Sequence, residues 1–157
     1  MGLLMDLLAG DPRELLLAVA LEDGETLRDP ERLPAHLSFG GSIDPTWLDL
    51  FSQAARAVTG LSEPMDFLDA RLEMGGRDGA IGARTIERVD ANWITAIARI
   101  DDRDLDAVAG RWIDLLEDEL GYLPREEKPW IRGLAGEIVA FARRADGEPA
   151  VILAWSL

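Results

Sequence analysis

The sequence predicts a mainly helical α+β domain, and three features carry that reading. The first is a pair of apolar stripes: Leu105, Val108, Ala109, Trp112, Ile113, Leu116 and Leu120, then Trp130, Leu134, Ile138, Phe141 and Ala145. Positions three and four apart share one face of a 3.6-residue helix. The second is a set of aspartates placed as helix starts, at Asp11, Asp44 and Asp90, where a short acid caps free backbone N–H groups. The third is three short β-type runs, at 36–40, 84–89 and 150–156. Five to seven helices are therefore expected to pack around a C-terminal helical hairpin over residues 105–145, with a small β-sheet beside it.

Taken in order, Leu3, Leu4, Leu7 and Leu8 make a short apolar stripe ended by Gly10. Asp11-Pro12-Arg13-Glu14 has an N-cap acid, proline at the first helical position and an early glutamate. Residues 15–21 are apolar on every side, which suits a buried helix or a buried strand; the cap favours helix. Residues 25–43 read as irregular, apart from the short alternating strand His36-Leu37-Ser38-Phe39. Asp44-Pro45 opens a helix with Trp47, Leu48, Phe51, Ala55 and Val58 on one face, and Gly60 stops it. Ser62 reads as the cap of a shorter helix through Met65, Leu68 and Leu72.

The glycine-rich stretch at 75–83 reads as a flexible loop inside one domain spanning 1–157. Thr85, Ile86, Glu87, Arg88 and Val89 alternate as a strand, and Asp90 then caps a helix with Trp93, Ile94, Ile97 and Ile100. In the hairpin, Gly121 sits where a C-terminal cap takes positive φ, and Pro129 falls near the start of the second helix. The short linker sets the two helices antiparallel. Gly147 ends the hairpin, and residues 150–155 form a β-type run. No internal repeat is present.

Composition narrows the functional classes. A chain of 157 residues, 48% of them hydrophobic, suits one domain with a sizeable core. With no cysteine, disulfides, thiolate metal sites and cysteine nucleophiles are excluded. Residues 1–8 lack a basic segment and no apolar run reaches the length of a membrane span, so the expected location is cytoplasmic, with no membrane partner. The formal net charge of −14 argues against nucleic acid and anionic lipid and favours a basic protein partner.

Each group that carries chemistry has a plainer reading beside it. Asp102, Asp104 and Asp106 have the one-three-five spacing of a calcium loop, but Ala107 stands where glycine is needed and Ile113 where a bidentate glutamate is needed. They read as acids at a helix N-terminus, so no metal and no cofactor are expected. His36 is the single histidine; Ser38, Ser42 and Asp44 lie near it in sequence, and no Gly-x-Ser-x-Gly elbow exposes a nucleophile. Gly40-Gly41-Ser42 before a helix resembles an anion cradle, yet Asp44 would repel a phosphate, which leaves a turn and an N-cap. The five tryptophans could line a ligand pocket, but four of them sit on apolar helix stripes or near their starts, and at that spacing they read as core. Asp114, Glu117, Asp118 and Glu119, with Glu126 and Glu127 beyond the turn, form an acidic face that is either solvated or a docking patch.

Two functional classes follow. One is a non-enzymatic binding protein, of the kind that antitoxins and immunity proteins represent, with His36, Ser38, Asp44, Asp114, Glu117 and Asp118 as candidate contacts. The other is a carboxylate-dependent enzyme, which needs one carboxyl with a raised pKa in a cleft.

The stretch His36-Leu37-Ser38-Phe39-Gly40-Gly41-Ser42-Ile43-Asp44-Pro45-Thr46-Trp47-Leu48-Asp49-Leu50-Phe51 resembles a group of small uncharacterised bacterial proteins. Glu127-Lys128-Pro129-Trp130-Ile131-Arg132 and the ending Ala154-Trp155-Ser156-Leu157 share that likeness. From Ile86 onward the order of elements also resembles the YfbM-like family, in which a strand feeds a helix and a late helix precedes a terminal strand. The resemblance implies an α+β domain and brings no functional residues with it.

Overall fold

Two strands from opposite ends of the chain make the centre of this fold. The computed structural model describes residues 4–21, 33–40, 43–60, 66–73, 80–81 and 84–156. Strand β1 (Leu4–Gly10) pairs along its whole length with β6 (Ala150–Ser156), antiparallel, with Leu7 opposite Leu153 and Leu8 opposite Ile152. On the far side of β1 lies β2 (Ala35–Gly40); on the far side of β6 lies β5 (Arg84–Val89). The short strands β3 (Arg71–Glu73) and β4 (Ala80–Ile81) both pair with β5. The described residues thus form a six-stranded antiparallel sheet.

Helices cover both faces of this sheet. Side chains alternate across a strand, so Met5, Leu7 and Ala9 point one way and Leu8 the other. The first set joins Val151 and Leu153 in the larger core, with α2 (Pro45–Thr59), α3 (Ala91–Ala98), α4 (Asp102–Leu120) and α5 (Lys128–Ala145). Leu8, Ile86, Ile152 and Ala154 meet Leu15, Ala18 and Val19 of α1 (Pro12–Leu21) on the opposite face. The architecture is α+β, dominated by helix, as the sequence predicts. The α4–α5 hairpin forms as expected, but it packs on one face of a six-stranded sheet rather than at the centre of the fold.

Three expectations need correction. The stripe at Leu3, Leu4, Leu7 and Leu8 was not expected to be a strand, yet from Leu4 it forms β1. A strand buried on both faces shows no polar alternation, so its pattern carries no period. The helix expected through Met65, Leu68 and Leu72 is not found in its described part: Ala70 closes one turn onto Asp66 and Phe67, and β3 follows. Its start at Ser62 and Met65 lies outside the described residues. Within the 75–83 loop, Ala80 and Ile81 form β4; its other positions lie outside the described residues.

Aspartates start four of the five α-helices among the described residues; α5 has no side-chain cap. Asp11 accepts from the N–H groups of Arg13 and Glu14 at 3.0 and 3.3 Å. Asp44, Asp90 and Asp101 accept from Thr46, Asn92 and Arg103, each two residues on. Each cap stabilises its helix by about 1 kcal/mol. Gly60 and Gly121 end α2 and α4 at φ 68° and 77°, a left-handed conformation that side chains with a Cβ resist.

The deepest polar contact joins α2 to α3. Trp93, fully buried, donates its indole N–H to Ser52 Oγ at 2.7 Å, and Ser52 donates to the Leu48 carbonyl at 3.0 Å. Phe67 packs edge-on against Trp93 at 4.8 Å.

Candidate functional site

The free end of the α4–α5 hairpin carries a groove of about 610 Å³. Gly121 ends α4, Tyr122 to Pro124 turn the chain, and a single 3-10 turn at Arg125–Glu127 leads into α5. Trp47, from the first turn of α2, closes the third side. The lining combines the rings of Trp47, Tyr122 and Trp130, the apolar side chains of Leu120, Leu123 and Pro124, and the acids Glu126 and Glu127.

A tryptophan ladder fixes these rings. Buried Trp112 donates its indole N–H to the Trp47 carbonyl at 2.8 Å. The Trp47 ring meets Trp112 edge-on at 6.4 Å and Trp130 edge-on at 6.4 Å, on the other side. Trp47 therefore links the core to a ring that is 44% exposed. Tyr122 is 75% exposed and Leu120 50%. Leu120 and Trp130 correct the reading of both stripes as wholly buried, and Trp130 that of the tryptophans as core. The hairpin reaches beyond the residues that would cover its end, so its last stripe positions face solvent.

Of the acids read from the sequence near the hairpin turn, Glu126 and Glu127 line the groove; Asp114, Glu117, Asp118 and Glu119 on α4 do not. Glu117 forms an ion pair with Lys128 at 2.6 Å, which neutralises the chain's one lysine. Asp114, Asp118, Glu119, Glu126 and Glu127 are exposed and make no ion pair among the described residues. Two of the six acids read from the sequence, Glu126 and Glu127, thus stand beside an exposed aromatic surface.

His36, Ser38 and Asp44 do not meet there. His36 Nε2 lies 2.9 Å from Asp6 Oδ1 on the α1 face of the sheet, and Ser38 pairs across from Asp6 in the strand register. Asp6 had not been singled out. Its signal was an acid inside an otherwise apolar run, Leu4-Met5-Asp6-Leu7-Leu8, which asks for a partner once buried. Asp44 serves as the α2 cap. Asp102 and Asp104 lie in the first turn of α4, and two of the three aspartates with calcium-like spacing pair with α5: Asp106 with Arg132 at 2.6 Å and Asp102 with Arg143 at 2.8 Å. Among the described residues no group of three metal-binding side chains comes together. No helix there is long and apolar enough to cross a membrane.

Two other polar features stand apart from the groove. A cavity of about 460 Å³ lies where β5, α3 and the α5–β6 turn meet. Contacts already join its rim: Thr95 donates to Asp146 at 2.8 Å and Arg88 to the Pro149 carbonyl at 3.3 Å. On α2, burial raises the pKa of Asp49 above the ordinary aspartate value, and the charges of Asp66 and Asp69 add to that; the amide of Gln53 opposes it from 3.2 Å. Oδ1 of Asp49 and Oδ1 of Asp66 are both buried without a hydrogen bond.

A carboxyl whose folded pKa is raised stabilises the fold fully below its unfolded pKa, about 3.9, and loses that contribution as pH rises through the folded pKa. Asp49→Asn should therefore raise the urea midpoint at pH 7, and the gain should vanish as pH falls toward the ordinary aspartate pKa. Urea unfolding of both chains across that range measures it. A constant difference at all pH values would show that ionisation of Asp49 is not its source.

Comparison with protein-family models, curated proteins and solved structures finds no match to this chain.

Proposed function

We propose that this chain is a non-enzymatic interaction protein of the cytoplasm that holds a basic partner protein at the free end of its α4–α5 hairpin. One observation carries the reading: exposed aromatic side chains and two glutamates that form no ion pair among the described residues line the same groove. Exposed aromatics surrounded by charge are typical of binding surfaces, and carboxylates of one sign draw an opposite charge by long-range attraction. A small acidic protein that covers a basic surface would act as antitoxins and immunity proteins do.

The test is binding of a mixed lysine–arginine copolymer, followed by tryptophan fluorescence at increasing salt. Binding should weaken with salt. Glu126→Lys should weaken it far more than Glu137→Lys, which makes the same charge change at an exposed site on α5 away from the groove. Equal losses from the two changes would reduce the attraction to net charge and overturn the groove as its site.

The second reading, a carboxylate-dependent enzyme, has one observation in its favour: the raised pKa of Asp49 beside Asp66. It requires a substrate cleft over that pair, and the groove lies elsewhere.

A further inference from the structure

We propose that the groove recognises an arginine side chain followed by an apolar residue, presented by an extended segment of the partner. The inference rests on the interaction reading above and names what that site selects.

Three properties of the groove point to arginine. Trp47, Tyr122 and Trp130 offer aromatic surface, and a guanidinium stacks on such rings while remaining charged. Glu126 and Glu127 both line the groove and carry no ion pair among the described residues, so a carboxylate is available to the forked donors of a guanidinium. An ammonium is a compact, strongly hydrated charge that gives up more water to enter such a site. Lys128, the nearest competing cation on α5, is already held by Glu117, and Arg125 is not part of the lining.

The groove is also larger than one side chain. Leu120, Leu123 and Pro124 add apolar lining, which suits the residue next to the arginine. The indole N–H of Trp130 has no partner among the described residues, and it can donate to a carbonyl of the bound segment.

A second copy of this chain is the competing occupant. A two-fold contact places each groove against its own image, so Glu126 and Glu127 would face like charges, on molecules of net charge −14 each. Charge complementarity selects a basic segment instead.

The experiment titrates the intact protein, by tryptophan fluorescence, with capped tetrapeptides: Gly-Arg-Leu-Gly, its lysine analogue and its citrulline analogue. The arginine peptide should bind at least about fivefold tighter than the lysine one, because stacking and forked donation are lost. Citrulline keeps the shape without the charge and should not bind. Trp130→Ala and the pair Glu126→Gln/Glu127→Gln should each weaken arginine binding by about tenfold or more, with unchanged circular dichroism. Equal binding of arginine and lysine peptides would overturn the arginine site while leaving a basic partner in place. So would failure of every peptide while the copolymer still binds in a manner sensitive to Glu126. Failure of the copolymer as well would overturn both. Self-association that Trp130→Ala abolishes would assign the groove to a second copy.

Discussion

A chain lacking residues 150–157 is expected not to fold. The deletion removes β6, which lies between β1 and β5 rather than at an edge. Val151, Ile152 and Leu153 are buried, on alternating faces of the sheet. Burying each such side chain stabilises the fold by about 1.5–3 kcal/mol. A whole domain is stable by only about 5–15 kcal/mol, so three of them account for a large part of it. The backbone loss adds to this. β1 and β5 would both present unpaired N–H and C=O groups inside a covered sheet, where no water replaces the lost partners. The expected product is insoluble or lacks a cooperative melt, by size-exclusion chromatography and thermal circular dichroism. A soluble, monomeric, cooperatively melting product would mean that the sheet closes without β6.

Trp93→Ala is expected to cost about 3–5 kcal/mol, as truncations of large buried aromatics do. The indole is fully buried and wedged between Phe67 and the α2 side of the core. Its N–H also satisfies Ser52, the buried polar side chain among the described residues. Ser52→Ala strands that N–H without a partner and should cost about 1–3 kcal/mol by itself. Replacing both ends, as Trp93→Phe with Ser52→Ala, should cost less than Trp93→Phe and Ser52→Ala made separately and summed, because neither polar atom is left behind. Urea unfolding of the set measures the coupling. Strict additivity would show that the 2.7 Å contact contributes nothing.

The parts of this fold that depend on local chemistry were visible in the sequence. Asp44 and Asp90 as caps, Gly60 and Gly121 as stops, and the faces of α2, α4 and α5 need only neighbouring residues for their explanation. What escaped depends on distant partners. β1 is leucine-rich and lacks alternation; only β2 and β6 beside it make it a strand. The Asp6–His36 contact follows from that pairing and stayed hidden with it. Likewise burial, and after it the charge of Asp66 beyond the end of α2, raises the pKa of Asp49, a relation that no helical period describes.

The groove was half legible. Its acids stood out as a run, whereas Trp130 was assigned to the core because periodicity reports which side of a helix is apolar, not how far the covering layer extends. Only Trp47 reaches that far, and its position depends on the α2–α4 contact through Trp112.

The pairing of Met5 with Trp155 also has a consequence in time. A nascent chain that has already released β1 cannot complete its sheet until β6 has been made. Contacts between such distant residues form slowly, although the entropy of closing a long loop rises only with the logarithm of its length. During that interval Met5, Leu7 and Leu8 have no strand on their β6 side, and an unpaired apolar strand invites pairing with other chains. The molecule's vulnerable moment is therefore its synthesis, when a holding chaperone would have an apolar strand to grasp; once β6 docks, the same residues become its least accessible.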